Sequence, residues 1–209
     1  MNVLLFNGSP HKEGATCTAL KEIEKELLLQ GVQTQIIQIG SVPFSGCMAC
    51  RGCKGKYRCA FGDKDGLNEI LDLCEKADGF VFGSPVYYAS ANGTLVSFMD
   101  RLFYCGSKFL SHKPAAAVAC ARRGGTTATL DVLNKYFTIN QMPVVSSTYW
   151  NMVHSNGGAA EVVQDLEGMQ TMRNIGKNMA WLLKCIEAGK QSGIEIPTAD
   201  RGNMTNFIR

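Results

Sequence analysis

Short apolar runs, each followed by a stretch of helical periodicity, recur along this chain and leave few folds open to it. Val3–Phe6, Gln33–Ile39, Gly79–Gly83, Ala115–Cys120 and Pro143–Thr148 read as strands. Several are apolar at successive rather than alternate positions, so both of their faces must be buried. Helical patterns separate them. Thr16–Gln30 places Leu20, Ile23 and Leu27 on one face, with Gly31 as a stop. A helix capped by Asp65 carries Leu67, Ile70, Leu71 and Cys74. Asn92–Phe103 and Thr126–Phe137 follow, and a long helix over Glu161–Ala188 aligns Leu166, Met169, Met172, Met179, Leu182 and Ile186. Strands alternating with helices build β-α-β units, hence an α/β fold: a parallel sheet with helices on both faces and right-handed crossovers. Such sheets bind ligands at the carboxyl ends of their strands. The loops after the first, third and fourth strands therefore carry the information about function.

The 209 residues suit one domain, read as 1–189 with a cysteine-rich insertion at about 41–62 and an irregular tail over 190–209. Hydrophobic residues make up 45% of the chain, enough for a sizeable core. A net charge of +3, without a block of like charge, gives no reason to expect nucleic acid. No apolar run approaches the ~18 residues of a membrane span, and the apolar start is too short for a signal peptide. Nine cysteines in a chain without a leader point to a reduced, cytoplasmic protein.

Four of those cysteines, Cys47, Cys50, Cys53 and Cys59, crowd one loop with C-x2-C-x2-C-x5-C spacing. Thiolates this close repel one another unless a metal or a disulfide takes up their charge. The x2 spacing is closer to iron–sulfur ligation than to zinc, which usually takes two knuckles on a longer arm. Gly46, Gly52 and Gly55 allow a tight wrap, and Arg51, Lys54, Lys56 and Arg58 would offset charge. A [4Fe–4S] cluster, a redox-active dithiol loop, a structural loop and zinc all stay open. Cys74, Cys105 and Cys185 lie on helical patterns in or near the core. Cys17, at a helix start, is expected to have a lowered pKa. Cys120 closes the fourth strand.

After the first strand, Gly8, Ser9, Gly14 and Thr16 supply hydroxyls, flexible backbone and a helix N-terminus. These suit a terminal phosphate, or a plain turn with Thr16 as cap. After the third, Pro85, Tyr87 and Tyr88 suit a flat aromatic ligand, or simple tyrosine packing. After the fourth, Arg122, Gly124 and Gly125 suit close approach to an anionic ligand, or a surface turn.

Read together, Gly8, Ser9, Pro10, Gly14 and Thr16, then Ser84, Pro85, Val86, Tyr87, Tyr88, Asn92, Gly93, Phe98, Asp100 and Arg101, then Tyr149, Trp150 and Asn151 resemble the flavodoxin-like NADPH-dependent FMN reductases over about residues 1–185. The cysteine motif resembles that of their iron–sulfur flavoprotein branch. The resemblance implies a doubly wound, five-stranded sheet of order 2-1-3-4-5 with FMN at its carboxyl edge. It implies phosphate binding by Ser9, Lys12, Gly14, Ala15, Thr16 and Cys17, although Ala15 and Cys17 stand where the family often has polar residues. It implies isoalloxazine binding by Pro85, Val86, Tyr87, Tyr88, Ala121, Arg122, Gly124 and Gly125. Cys47, Cys50, Cys53 and Cys59 would hold the [4Fe–4S] cluster. Electrons would come from NAD(P)H or a ferredoxin-like carrier and pass to a small acceptor such as a quinone, in a homodimer or homotetramer. No catalytic side chain is expected, because the flavin carries the chemistry. A cluster-free NAD(P)H:FMN or quinone reductase and a non-enzymatic electron carrier are the alternatives.

Overall fold

The computed structural model describes residues 1–156, 158–205 and 207; of the tail, Asn206, Ile208 and Arg209 lie outside the described residues. The first apolar run forms β1 (Asn2–Asn7), whose Val3 and Leu5 pack on one side of the sheet and Leu4 and Phe6 on the other. The chain continues through α1 (Ala15–Leu29), β2 (Gln33–Gln38), α2 (Leu67–Lys76), β3 (Gly79–Tyr87), β4 (Ser90–Ala91), α3 (Gly93–Leu110), β5 (Ala115–Ala121), α4 (Thr126–Ile139), β6 (Met152–His154), α5 (Ala159–Val162) and α6 (Leu166–Gln191). The parallel strands stand in the order β2-β1-β3-β5-β6, with β4 antiparallel at the end of β3.

Two cores result, one on each face. The side chains of α1 and α6 meet Val81, Ala116 and Val118. Those of α2, α3 and α4 meet Phe80, Phe82, Ala117 and Ala119 on the other side, where Phe6 and Phe82 stack with ring centroids 4.7 Å apart. Every residue of β5 is buried. Its small side chains let helices approach closely from both sides.

Several local expectations change. The last strand is not Pro143–Thr148. Pairing there reduces to a bridge between Val144 and Ala115, with the Pro143 carbonyl accepting from the Ala115 N–H at 2.9 Å. The backbone then leaves the sheet, Asn151 Nδ2 closes the excursion on the Val145 carbonyl at 3.1 Å, and pairing resumes opposite Ala119–Ala121 as β6. The long C-terminal helix is broken at Asp165, whose carboxylate caps α6 through the Gly168 N–H at 2.9 Å and also accepts from the His154 N–H at 2.7 Å. Leu166, expected in the core, is therefore exposed, whereas Met169, Met172 and Met179 are buried as read. Cys185, expected near the core, is exposed. The N-cap position of α2 is Gly66 rather than Asp65, whose carboxylate pairs with Arg101 and accepts only a long bond from the Leu67 N–H at 3.4 Å.

Candidate functional site

The carboxyl ends of β1, β3, β5 and β6 surround a cleft of about 290 Å³. Its first wall is the loop from Gly8 to Gly14. Asn7, fully buried at the end of β1, shapes that loop: its Oδ1 accepts from the Ser9 N–H at 3.1 Å, and its Nδ2 donates to the His11 carbonyl at 3.2 Å and to Gln38 Oε1 at 2.7 Å. Gln38 in turn donates to the Ser9 carbonyl at 2.6 Å. Gly40 makes this contact close, because a Cβ there would lie 2.3 Å from the Gly8 carbonyl oxygen.

The loop delivers the chain into α1 at Gly14, an extended N-cap with no side-chain cap and no acidic residue in the first turn. The opening N–H groups of a helix lack partners within it and carry the positive end of its dipole. Here they open towards the cleft beside Ser9 and Thr16, an arrangement that favours an anion. Thr16 is not the cap. It lines the cleft with Cys120, whose thiol burial pushes up to about 11. Cys120 is thus a neutral wall of the cleft. Burial also raises the Cys17 thiol, overriding the lowering expected from the helix start.

The second wall is a hairpin rather than a loop. β3 runs on to Tyr87 and returns as β4, leaving Tyr88 and Ala89 as a two-residue turn at φ 49° and 60°. Positive φ at both positions is the type I′ geometry of tight hairpins, normally taken by Asn and Gly. Backbone strain of this kind gathers at functional sites. Ser84 and Asn92 lock the hairpin base: Asn92 N–H donates to Ser84 Oγ at 2.9 Å, and Asn92 Nδ2 reaches the Gly8 carbonyl at 2.9 Å. Behind it, Gly125 has φ +94°, and a Cβ there would meet the Ala89 Cα at 2.7 Å. Only glycine lets the third loop nest against the turn.

Of the predicted flavin residues, Ser9, Gly14, Ala15, Thr16, Pro85, Val86, Tyr87, Ala121 and Arg122 share this cleft. Lys12 lies on the open surface beside it. Cys17 is buried within α1, Tyr88 stands fully exposed at the hairpin tip, and Gly124 and Gly125 sit outside the lining. Four lining residues were not among the predicted flavin residues: His11, Cys120, Ser155 and Asn156. The last two follow β6 and arrive there because the final strand is displaced. His154 itself is exposed and outside the lining.

A second site lies between β2 and α2. All four cysteines of the motif border one small cavity of about 30 Å³, together with Arg101, Tyr104 and Cys105. Cys47 and Cys50 are exposed, and Cys53 and Cys59 half-buried. Burial pushes the Cys105 thiol up to about 12, with Cys59 and Cys53 adding to the shift. Burial raises Cys53 as well. The segment holds Ala49, Arg51 and Tyr57 at positive φ. Its far end is tied to α2: Asn68 Oδ1 accepts from the Cys59 N–H at 2.9 Å, Asn68 Nδ2 donates to the Cys59 carbonyl at 3.1 Å, and Arg58 pairs with Asp72 at 2.5 Å. Among the described residues no three His, Cys, Asp or Glu side chains converge to hold a metal ion. Four thiols on one cavity do match the donor type and number of a cluster, which spreads its ligands wider than a single ion does. The donor set fits by its chemistry.

A strand order of β2-β1-β3-β5-β6, with a cleft where the order reverses between β1 and β3, defines the flavodoxin-like class of doubly wound α/β proteins. Within that class the chain belongs to the NADPH-dependent FMN reductase family, whose profile matches residues 1–157. It is 30% identical over 194 residues to an iron-sulfur flavoprotein of Methanocaldococcus jannaschii, covering 90% of this chain and 100% of that one. Among solved structures it is similar to RosB bound to the intermediate 8-demethyl-8-formylriboflavin-5'-phosphate (TM-score 0.69, 14% identity, 100% of this chain and 94% of that one). It is also similar to an archaeal flavodoxin (TM-score 0.59, 14% identity, 88% and 99%). These two likenesses speak to the fold. Family membership makes the protein an FMN oxidoreductase. Among the described residues no helix is long and apolar enough to cross a membrane.

Proposed function

We propose that this protein takes electrons from NAD(P)H or a reduced ferredoxin-like carrier into FMN held in the β1–β3 cleft and passes them to a small acceptor such as a quinone. One observation carries the reading: the uncapped start of α1 opens into the same cleft as Pro85, Val86 and Tyr87. Anion-seating backbone and an apolar, aromatic wall thus share one space, as a phosphorylated flat ring requires. FMN, when bound, supplies the exchange between two-electron and one-electron transfer. The residues bind and orient it. Ser9, Gly14, Ala15 and Thr16 would take the phosphate, and Lys12 would add positive charge from the rim. Val86 and Tyr87 would flank the ring, with Tyr88 completing its cover from the hairpin tip. Ala121 and Arg122 would close the far side, Arg122 drawing the anionic parts of flavin or donor, with Gly124 and Gly125 shaping the loop behind them. Replacing Ser9 and Thr16 together by alanine removes two hydroxyls from the phosphate end. Flavin content after gel filtration should fall well below that of wild type, and unchanged occupancy would sink the assignment.

Cys47, Cys50, Cys53 and Cys59 would hold a [4Fe–4S] cluster, which supplies a one-electron store. What supports this is the shared cavity of the four thiols and the likeness to a protein called an iron-sulfur flavoprotein. The rival reading is a cluster-free NAD(P)H:FMN or quinone reductase. An absorption spectrum of anaerobically purified protein separates them: a broad shoulder bleached by dithionite speaks for the cluster, and flavin bands alone for the rival. Residues 1–189 form the FMN domain in this reading and 190–209 the tail. The thiol-rich chain works in the reducing cytoplasm. Exposed Tyr88, Tyr149 and Trp150 suit a homodimer or homotetramer, which sedimentation would count.

A further inference from the structure

We infer that Arg101, held by Asp65, positions Cys59 and sets the reduction potential of the group bound by the cysteine loop. Arg101 projects from α3, from outside the loop itself. Its side chain is 3% exposed, and that of Asp65 15%. A guanidinium this deeply buried needs its charge met and its donors filled. Asp65 meets the charge: one of its oxygens takes Nη1, and the other lies 3.3 Å from Nη2. Nη2 is aimed equally at Cys59, with the sulfur 3.3 Å away, and Nη1 reaches towards the Ser45 carbonyl at 3.5 Å. The Arg101 carbonyl, on the same residue, accepts from the Cys105 thiol at 2.8 Å. Arg101 therefore touches both ends of the cysteine loop, Ser45 before it and Cys59 at its close, and lines the cavity that the four thiols border.

A buried cation that hydrogen-bonds a ligating thiolate stabilises the more negative, reduced state of whatever the thiolates bind, and so raises its potential. Asp65 works in the opposite sense, because its negative charge partly cancels that field. The pair therefore acts as a graded control. Removing the arginine charge should lower the potential and removing the aspartate charge should raise it. A purely structural brace would move both variants in the same direction or neither.

The inference rests on the cluster reading, and the experiment keeps the two apart. Wild type, Arg101→Lys, Arg101→Gln and Asp65→Asn are purified without oxygen and assayed for iron and sulfide. The one-electron midpoint potential of the cluster is then followed by electron paramagnetic resonance. Arg101→Gln should lie below wild type by at least the equivalent of a tenfold change in the oxidised-to-reduced ratio, about 59 mV for one electron. Asp65→Asn should lie above wild type, and Arg101→Lys, which keeps the charge, nearer to wild type than Arg101→Gln. Should Arg101→Gln fail to fold with Asp65 left unpaired, Asp65→Asn still decides, since asparagine keeps an acceptor for the guanidinium. Full iron content with an unmoved or lowered potential in Asp65→Asn overturns the role of Arg101 and leaves the cluster reading intact. An iron-free wild type ends both.

Discussion

Asn7 shows how much one polar side chain can decide. It ends a strand that is apolar at every preceding position from Val3, and it is fully buried. Its three hydrogen bonds draw Ser9, His11 and Gln38 into a single arrangement. They share the holding of the loop before α1 with the Gln38–Ser9 and Asn92–Gly8 bonds. Asn7→Ala strands the Ser9 N–H and the Gln38 Oε1 acceptor, at a cost of roughly 1–3 kcal/mol. The expected result is FMN binding weakened about tenfold, since ~1.4 kcal/mol corresponds to that factor. A titration followed by the quenching of flavin fluorescence measures it. Binding equal to wild type would show that the loop holds its shape by other means.

Among the elements, the β3–β4 hairpin stands out. Its turn uses Tyr88 and Ala89 where the backbone asks for residues at ease with positive φ. Each L-residue placed there costs about 1–2 kcal/mol, and Tyr88 recovers nothing by packing, since it is fully exposed. In the proposed reading, this strained turn is kept for its contact with bound flavin. The double variant Tyr88→Asn with Ala89→Gly matches the preferred turn chemistry. Its melting temperature without flavin should rise by about 3–6 °C, at about 2–4 °C per kcal/mol for a chain of this size. FMN affinity should fall in the same protein. Calorimetry and the flavin titration together check this trade, and a fall in melting temperature would contradict the strain argument.

At the scale of the whole molecule, the cleft is assembled from four strand ends that are distant in sequence, and FMN in it would clamp β1, β3, β5 and β6 together. A ligand that binds only the folded state stabilises it by mass action, about 2.7 kcal/mol at a hundred times its dissociation constant. Flavin at that excess should raise the melting temperature by roughly 5–10 °C. Riboflavin, which lacks the phosphate, should give much less if the start of α1 is the main anchor. Equal shifts with both compounds would move the binding energy from the anion seat to the ring.

The sequence by itself determined the layers. Successive apolar positions at Val3–Phe6 and Phe80–Phe82 force a strand covered on both faces, and helical periodicity supplies the covers. These are local patterns, and local burial explains them. Ser9, Gly14 and Thr16 were legible as one wall of the cleft because glycine and hydroxyl chemistry beside a helix start is a short-range signal. Other features depended on contacts between distant segments. The last strand lies at Met152–His154, after a detour that Asn151 closes on the Val145 carbonyl, and this displacement brings Ser155 and Asn156 to the cleft. Asp65 looked like a helix cap until the structure brought a buried arginine from α3 to meet it. Cys105 and Arg101 joined the cysteine cavity in the same way. Hydrophobic pattern is written along the chain. The pairing of a buried charge is settled only when folding removes water and leaves one partner within reach.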